Sequence, residues 1–304
     1  MNYTDALNRT INLPNTPQRI ISLVPSLTEL LHDMSLEPQV VGITKYCVHP
    51  VHYKHTKAIV GGTKAVKNKT IADLNPDFIL CSKEENTPKM VEELEKIAPV
   101  YVTDVNSFDD ALALIKELGL LLNRRTEASY IIDRINFRYN TFLKSIKESD
   151  TYKVAYFIWA NPFMVAGGKT FISDMLRICK FENAYENKER YPEINIGIMK
   201  VTTKPDIFLF SSEPHDFTDE EVYEVLRKNN KTLTVYVDGE YFAWYGSRLI
   251  KAFDHFTQLR KKIDLYFEVA NMDDHDHDHS HGHSHEKEHK LKRLNILDIK
   301  KLKK

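Results

Sequence analysis

The longest run of a single periodicity lies between Asn123 and Glu148. Apolar side chains fall at Ala128, Ile131, Ile132, Ile135, Tyr139, Phe142, Leu143 and Ile146, the spacing of one buried helical stripe. Arg124, Arg125, Glu127, Asp133, Arg134, Arg138, Lys144 and Lys147 fill the other face, and no Gly or Pro interrupts the pattern. The spacing predicts one amphipathic helix of roughly 35 to 40 Å. That is longer than a crossover within one small sheet requires, and it suits a strut between two lobes.

On either side of the strut, short apolar runs alternate with helical patterns. Strands are predicted at Arg19 to Val24, Val40 to Thr44, Phe78 to Ser82 and Val100 to Thr103, and again at Lys153 to Trp159, Asp206 to Ser211 and Leu233 to Val237. Ser26-Leu27-Thr28-Glu29, Ser107-Phe108-Asp109-Asp110 and Thr218-Asp219-Glu220-Glu221 read as capped helix starts, and a long amphipathic helix is expected from Arg248 to Phe267. Asn75-Pro76-Asp77-Phe78-Ile79-Leu80-Cys81-Ser82 is echoed by Lys204-Pro205-Asp206-Ile207-Phe208-Leu209-Phe210-Ser211, as one βα design used twice. The expected fold is α/β, with two Rossmann-like lobes of mostly parallel sheet joined by one long helix. The boundaries are 1–122 for the first lobe, 123–150 for the connecting helix, 151–271 for the second lobe and 272–304 for a tail.

Composition narrows the function classes. A formal net charge of −1 over 304 residues gives no electrostatic footprint for nucleic acid. Cys47, Cys81 and Cys179 are widely spaced and odd in number, which fits free thiols in a reducing compartment. Met1 to Asn15 is polar and has no apolar core of a secretory signal, so a cytoplasmic location is expected. No segment reaches the ~18 apolar residues of a spanning helix.

Ligands of open parallel sheets bind beyond the carboxyl ends of the strands. The loops there hold Tyr46, Cys47 and His49 in the first lobe, and Trp159, Glu213, His215, Tyr241, Trp244 and Tyr245 in the second. Aromatic and polar side chains facing one another from two lobes would form a cleft for a flat or bulky ligand. The pair Cys47 and His49 lacks a third catalytic partner, so no enzyme is expected. His49, His52 and His55 are broken from helical register by Pro50 and read as solvated loop histidines, while Glu84 and Glu85 read as first-turn residues of the next helix.

Arg19-Ile20-Ile21-Ser22-Leu23-Val24-Pro25-Ser26-Leu27-Thr28-Glu29-Leu30-Leu31, Val41-Gly42-Ile43-Thr44, Gly61-Gly62-Thr63-Lys64 and Leu74-Asn75-Pro76-Asp77 together resemble the cobalamin- and iron-siderophore-binding receptors of bacterial ABC transporters, of the helical-backbone class. The likeness runs from about Thr4 to Phe267. It implies two α/β lobes on one rigid helix, a corrinoid or ferric chelate as ligand in the inter-lobe cleft, and a periplasmic location as the alternative. It also implies an acidic docking residue for the permease on each lobe. Lys69 and Ala243 stand at those positions, which puts permease docking in doubt.

Beyond Met272 the chain turns polar. His275, His277, His279, His281, His283 and His285 alternate with small or acidic residues, a composition that predicts disorder and an affinity for Zn²⁺ or Ni²⁺. The second reading is accordingly a cytoplasmic metal-handling protein that uses this tail.

Overall fold

The computed structural model describes residues 2–229, 232–276 and 296–298. Two compact units emerge, one of Met1–Phe137 with Trp244–Ile250 and one of Arg138–Ala243 with Lys251–Lys304.

In the first unit the elements are β1 (Asn2–Thr4), β2 (Thr10–Asn12), β3 (Ile20–Ser22), α1 (Pro25–Asp33), β4 (Val40–Ile43), α2 (Tyr53–Thr56), β5 (Ala58–Ile59), α3 (Asn68–Asp73), β6 (Phe78–Ser82), α4 (Pro88–Glu95), β7 (Val100–Thr103) and α5 (Phe108–Leu121). The sheet runs β5-β4-β3-β6-β7, with all four pairings parallel. β3, β6 and β7 are buried along their whole length, as expected of strands covered on both faces. Ile21, Ile79 and Val102 pack with Met90, Val91 and Leu94 of α4 in one apolar cluster.

The second unit carries β8 (Tyr152–Trp159), β9 (Met164–Val165), α7 (Phe171–Ile178), β10 (Phe181–Asn183), α8 (Met199–Thr202), β11 (Ile207–Ser211), α9 (Asp219–Lys228), β12 (Leu233–Val237), α10 (Gly239–Ala243), α11 (Leu249–Asp276) and β13 (Ile296–Asp298). Its main path is β10-β8-β11-β12-β13, also parallel, with β9 added antiparallel to β8. Phe157 and Phe210, both fully buried, stack at 4.6 Å between ring centroids in its core. Helix α6 (Arg125–Ser145) runs from the first unit into the second.

The echoed segments share their local chemistry. Asn75 and Lys204 both sit in the left-handed region, at φ 45° and 47°, immediately before the Pro-Asp pair. Asp77 then accepts from the backbone N–H of Arg19 at 2.8 Å, while its own N–H donates to the Arg19 carbonyl. Asp206 makes the same two bonds with Lys153, at 2.8 Å each. In each unit this clamp sets the register between the new strand and its neighbour.

Several expectations change. The stripe of α6 is buried at Ala128, Ile131, Ile135, Phe142 and, one residue past its end, Ile146, but Leu143 is 36% exposed. The predicted capping box at Ser26 to Glu29 does not form. Pro25 already occupies the first turn, where its missing N–H needs no acceptor, and Val24 precedes it without a side-chain cap. The Thr218 to Glu221 box is present in full, and Ser107 caps α5. Glu84 and Glu85 precede α4, whose cap is Thr87, so they are not in its first turn. At the other end of the chain, α11 continues through Asp276 and β13 joins the sheet beside β12, so structure reaches into the stretch expected to be disordered. No described helix is long and apolar enough to cross a membrane.

Candidate functional site

In the first unit, the loop after β4 presents Tyr46, half-exposed at 50%, with the Lys45 ammonium 4.9 Å from its ring centroid. His49 is partly exposed and meets Trp244 edge to face, with ring centroids 5.7 Å apart. Cys47 behaves differently from its expectation as a surface candidate. It is fully buried, with Thr28 Oγ1 and Thr44 Oγ1 at 3.1 and 3.2 Å from Sγ, and burial pushes its thiol pKa up. Full burial and a raised thiol pKa fit a packing group. Cys81 and Cys179 are free and buried as well.

Trp244 and Tyr245 were expected in the second lobe, yet the segment Trp244–Ile250 belongs to the first unit. Both are nearly covered. Tyr245 Oη lies 3.4 Å from Thr103 Oγ1, and burial pushes its hydroxyl pKa up to about 12. Trp244 is 5% exposed, with the Arg248 guanidinium 5.0 Å over its ring. Arg248 Nε donates in turn to Glu29 Oε2 at 2.8 Å, and both side chains are buried. This pair was not read from the sequence, because its members are 219 residues apart. Gly246 turns this segment at φ 96°, a conformation L side chains rarely adopt, beside Leu30.

In the second unit, Trp159 ends β8 and is 41% exposed. His215 packs against it at 5.2 Å between ring centroids and lies within 3.1 Å of both carboxylate oxygens of Glu221. Glu221 is itself the closing residue of the α9 capping box, so the helix start holds the imidazole in place. Glu213, after β11, is partly exposed, and its carbonyl accepts from Ser211 Oγ at 2.6 Å. Gly239 opens α10 directly beside this turn. A Cβ there would come within 2.2 Å of Ser211 Oγ, so only glycine lets the two loops approach.

Tyr241 is also partly exposed and stacks on His255 at 4.5 Å. His255, on α11, thereby supports this loop. The sequence also gave no sign of His32 and Glu37 in the first unit, which lie beside His52. Lys69 is exposed on α3 and Ala243 closes α10. Of the tail histidines, His275 falls on the backbone of α11, while His277, His279, His281, His283 and His285 lie outside the described residues.

Residues 20–232 match a protein-family model described as "Periplasmic binding protein". The vitamin B12-binding protein of Vibrio parahaemolyticus is 24% identical over 226 residues, covering 73% of this chain and 80% of the relative. An uncharacterized ABC transporter substrate-binding lipoprotein of Bacillus subtilis is 26% identical over 192 residues, 59% of each chain. Among solved structures, the periplasmic heme-binding protein RhuT from Roseiflexus sp. RS-1 superposes with a TM-score of 0.66 at 16% identity, over 79% of this chain and 96% of that one. The last likeness shows the two-sheet α/β fold expected from the sequence.

Proposed function

Because the chain belongs to the periplasmic binding protein family, we propose that it binds a corrinoid or a haem-like ferric chelate and releases it unchanged. The observation that carries this reading is the set Trp159, His215 and Glu221: an exposed indole beside an imidazole whose orientation is fixed by a carboxylate. An indole face left open at a strand's carboxyl end suits a flat conjugated ring, and the fixed imidazole supplies a polar handle. Tyr46, His49, Glu213 and Tyr241 are the further contact residues in this proposal. Cys47, Trp244 and Tyr245, covered within the first unit, act there by packing. The B12- and haem-binding relatives support the ligand class.

Relatives described as periplasmic or as a lipoprotein favour the periplasmic alternative over the cytoplasmic one. An ABC permease is the corresponding partner. With Lys69 and Ala243 at the positions the family resemblance assigns to acidic docking residues, its contacts would fall on other side chains of the two units.

Titration of cobalamin, haem and a ferric siderophore, followed by tryptophan fluorescence with absorbance correction, tests the reading. Saturable quenching by one of the three is expected. Trp159→Ala should weaken that ligand by about 1 to 3 kcal/mol, on the order of 5- to 150-fold. Trp159→Phe should restore much of the loss, since the flat face returns. If none of the three saturates, the chelate reading fails and metal handling by the tail becomes the stronger one.

A further inference from the structure

The geometry points to a transition-metal site on the first unit, built from His32, Glu37 and His52, none of which is among the proposed chelate contacts. His32 lies in the last turn of α1, Glu37 in the connection to β4, and His52 immediately before α2. Their ligand atoms all fall within 4.8 Å of one another. His52 Nε2 is 2.9 Å from Glu37 Oε1, and His32 Nδ1 is 3.5 Å from Glu37 Oε2. Zinc bonds of 2.0 to 2.2 Å at tetrahedral angles put neighbouring ligand atoms about 3.3 to 3.5 Å apart. The two separations, one to each Glu37 oxygen, lie near that spacing, so rotation of the side chains would set one carboxylate oxygen and both imidazoles around an ion.

The site is also held from behind. Tyr53 is fully buried and anchors α2; its hydroxyl, 3.4 Å from His32 Nδ1, would give up that long contact when the nitrogen takes an ion. Lys57 Nζ donates to the Glu37 carbonyl at 2.6 Å, and the Leu36 N–H donates to the Leu31 carbonyl, so the turn carrying Glu37 is fixed to both neighbouring helices. The three ligating side chains are 33%, 40% and 48% exposed, which leaves the outer positions of the ion to water or to an exogenous donor. Two imidazoles and one carboxylate suit Zn²⁺, Co²⁺ or Ni²⁺, and poorly suit Mg²⁺ or Ca²⁺, which take oxygen ligands. Imidazole–carboxylate hydrogen bonding alone would explain one histidine on this carboxylate. It does not call for a second histidine on the other oxygen.

The tail histidines would mask this site in a simple titration, so the test uses the full chain with His275, His277, His279, His281, His283, His285 and His289 all replaced by alanine. Zn²⁺ alone is the probe in calorimetry, and Co²⁺ absorption reports ligation by nitrogen. One bound equivalent is expected. His52→Ala or Glu37→Gln should each weaken it at least tenfold and remove the Co²⁺ bands. His55→Ala, on the short helix that follows His52 but outside the cluster, should change neither. Melting in EDTA should be alike for all forms, since the altered side chains are half-exposed. Absence of a bound equivalent, or equal affinity in His52→Ala and Glu37→Gln, would overturn the proposal whatever the outcome of the chelate titrations.

Discussion

Acidification from pH 7 to pH 4 is expected to destabilise the second unit by about 3 kcal/mol through His255 alone. Burial lowers the His255 pKa from 6.5 to about 4, against a smaller opposing pull from the Asp238 carboxylate; Lys262 acts in the same direction as burial. Its ring stacks on Tyr241, and Nε2 meets no hydrogen-bond partner among the described residues, so no hydrogen bond at that atom offsets a charge placed there. The unfolded chain takes up a proton near pH 6.5 while the folded chain does not. Stability is therefore complete above pH 6.5 and falls progressively until about pH 4. His255→Phe keeps an aromatic ring against Tyr241 and removes the titration, so its denaturant midpoint should move much less over this window. Parallel pH profiles in variant and parent would refute the assignment. Glu85 in the first unit has the opposite sign, because burial raises a carboxyl pKa and folding then favours the protonated form as pH falls. The two units should respond to acid in opposite directions through these two groups.

The second large effect is expected at the buried pair of Glu29 and Arg248. Glu29→Ala should cost about 3 to 5 kcal/mol, because it leaves a guanidinium enclosed without its counter-ion. Arg248→Ala should cost a similar amount and also expose the face of Trp244 that the guanidinium covers. Replacing both, as Glu29→Leu with Arg248→Met, should recover most of the loss, since the desolvation cost disappears along with the attraction. Urea unfolding of the three variants measures the coupling. Strictly additive losses would mean that the two side chains act independently.

That pair also shows where the sequence stops being legible. Ser26 and Glu29 have the spacing of a capping box, and local chemistry alone would form one. Glu29 is instead taken by an arginine 219 residues away, which no local pattern can signal. The same limit applies to His32, Glu37 and His52, which come from a helix end, a turn and a second helix start. Trp244 and Tyr245 were legible as aromatics in need of a partner, but not as aromatics that find it in their own unit. By contrast, the strands, the long helix and the duplicated Pro-Asp turn depend on neighbours in sequence or on an alternation visible in the chain. Those were read with nearly the right boundaries. Trp159 was legible for a further reason: a large indole at the carboxyl end of a buried strand has few places to hide.

The grouping of Trp244–Ile250 with the first unit bears on how the chain is made. A ribosome delivers Met1–Phe137 first, with its five-stranded sheet already able to pair. Glu29 then faces a site whose arginine is about a hundred residues from being synthesised, a wait of roughly 5 to 20 seconds. During that interval Glu29 is without Arg248, the cation it pairs with in the finished unit. Translation through Arg248 is thus the step that completes the first unit, and an N-terminal fragment ending near Phe137 should fold only partly however long it is left.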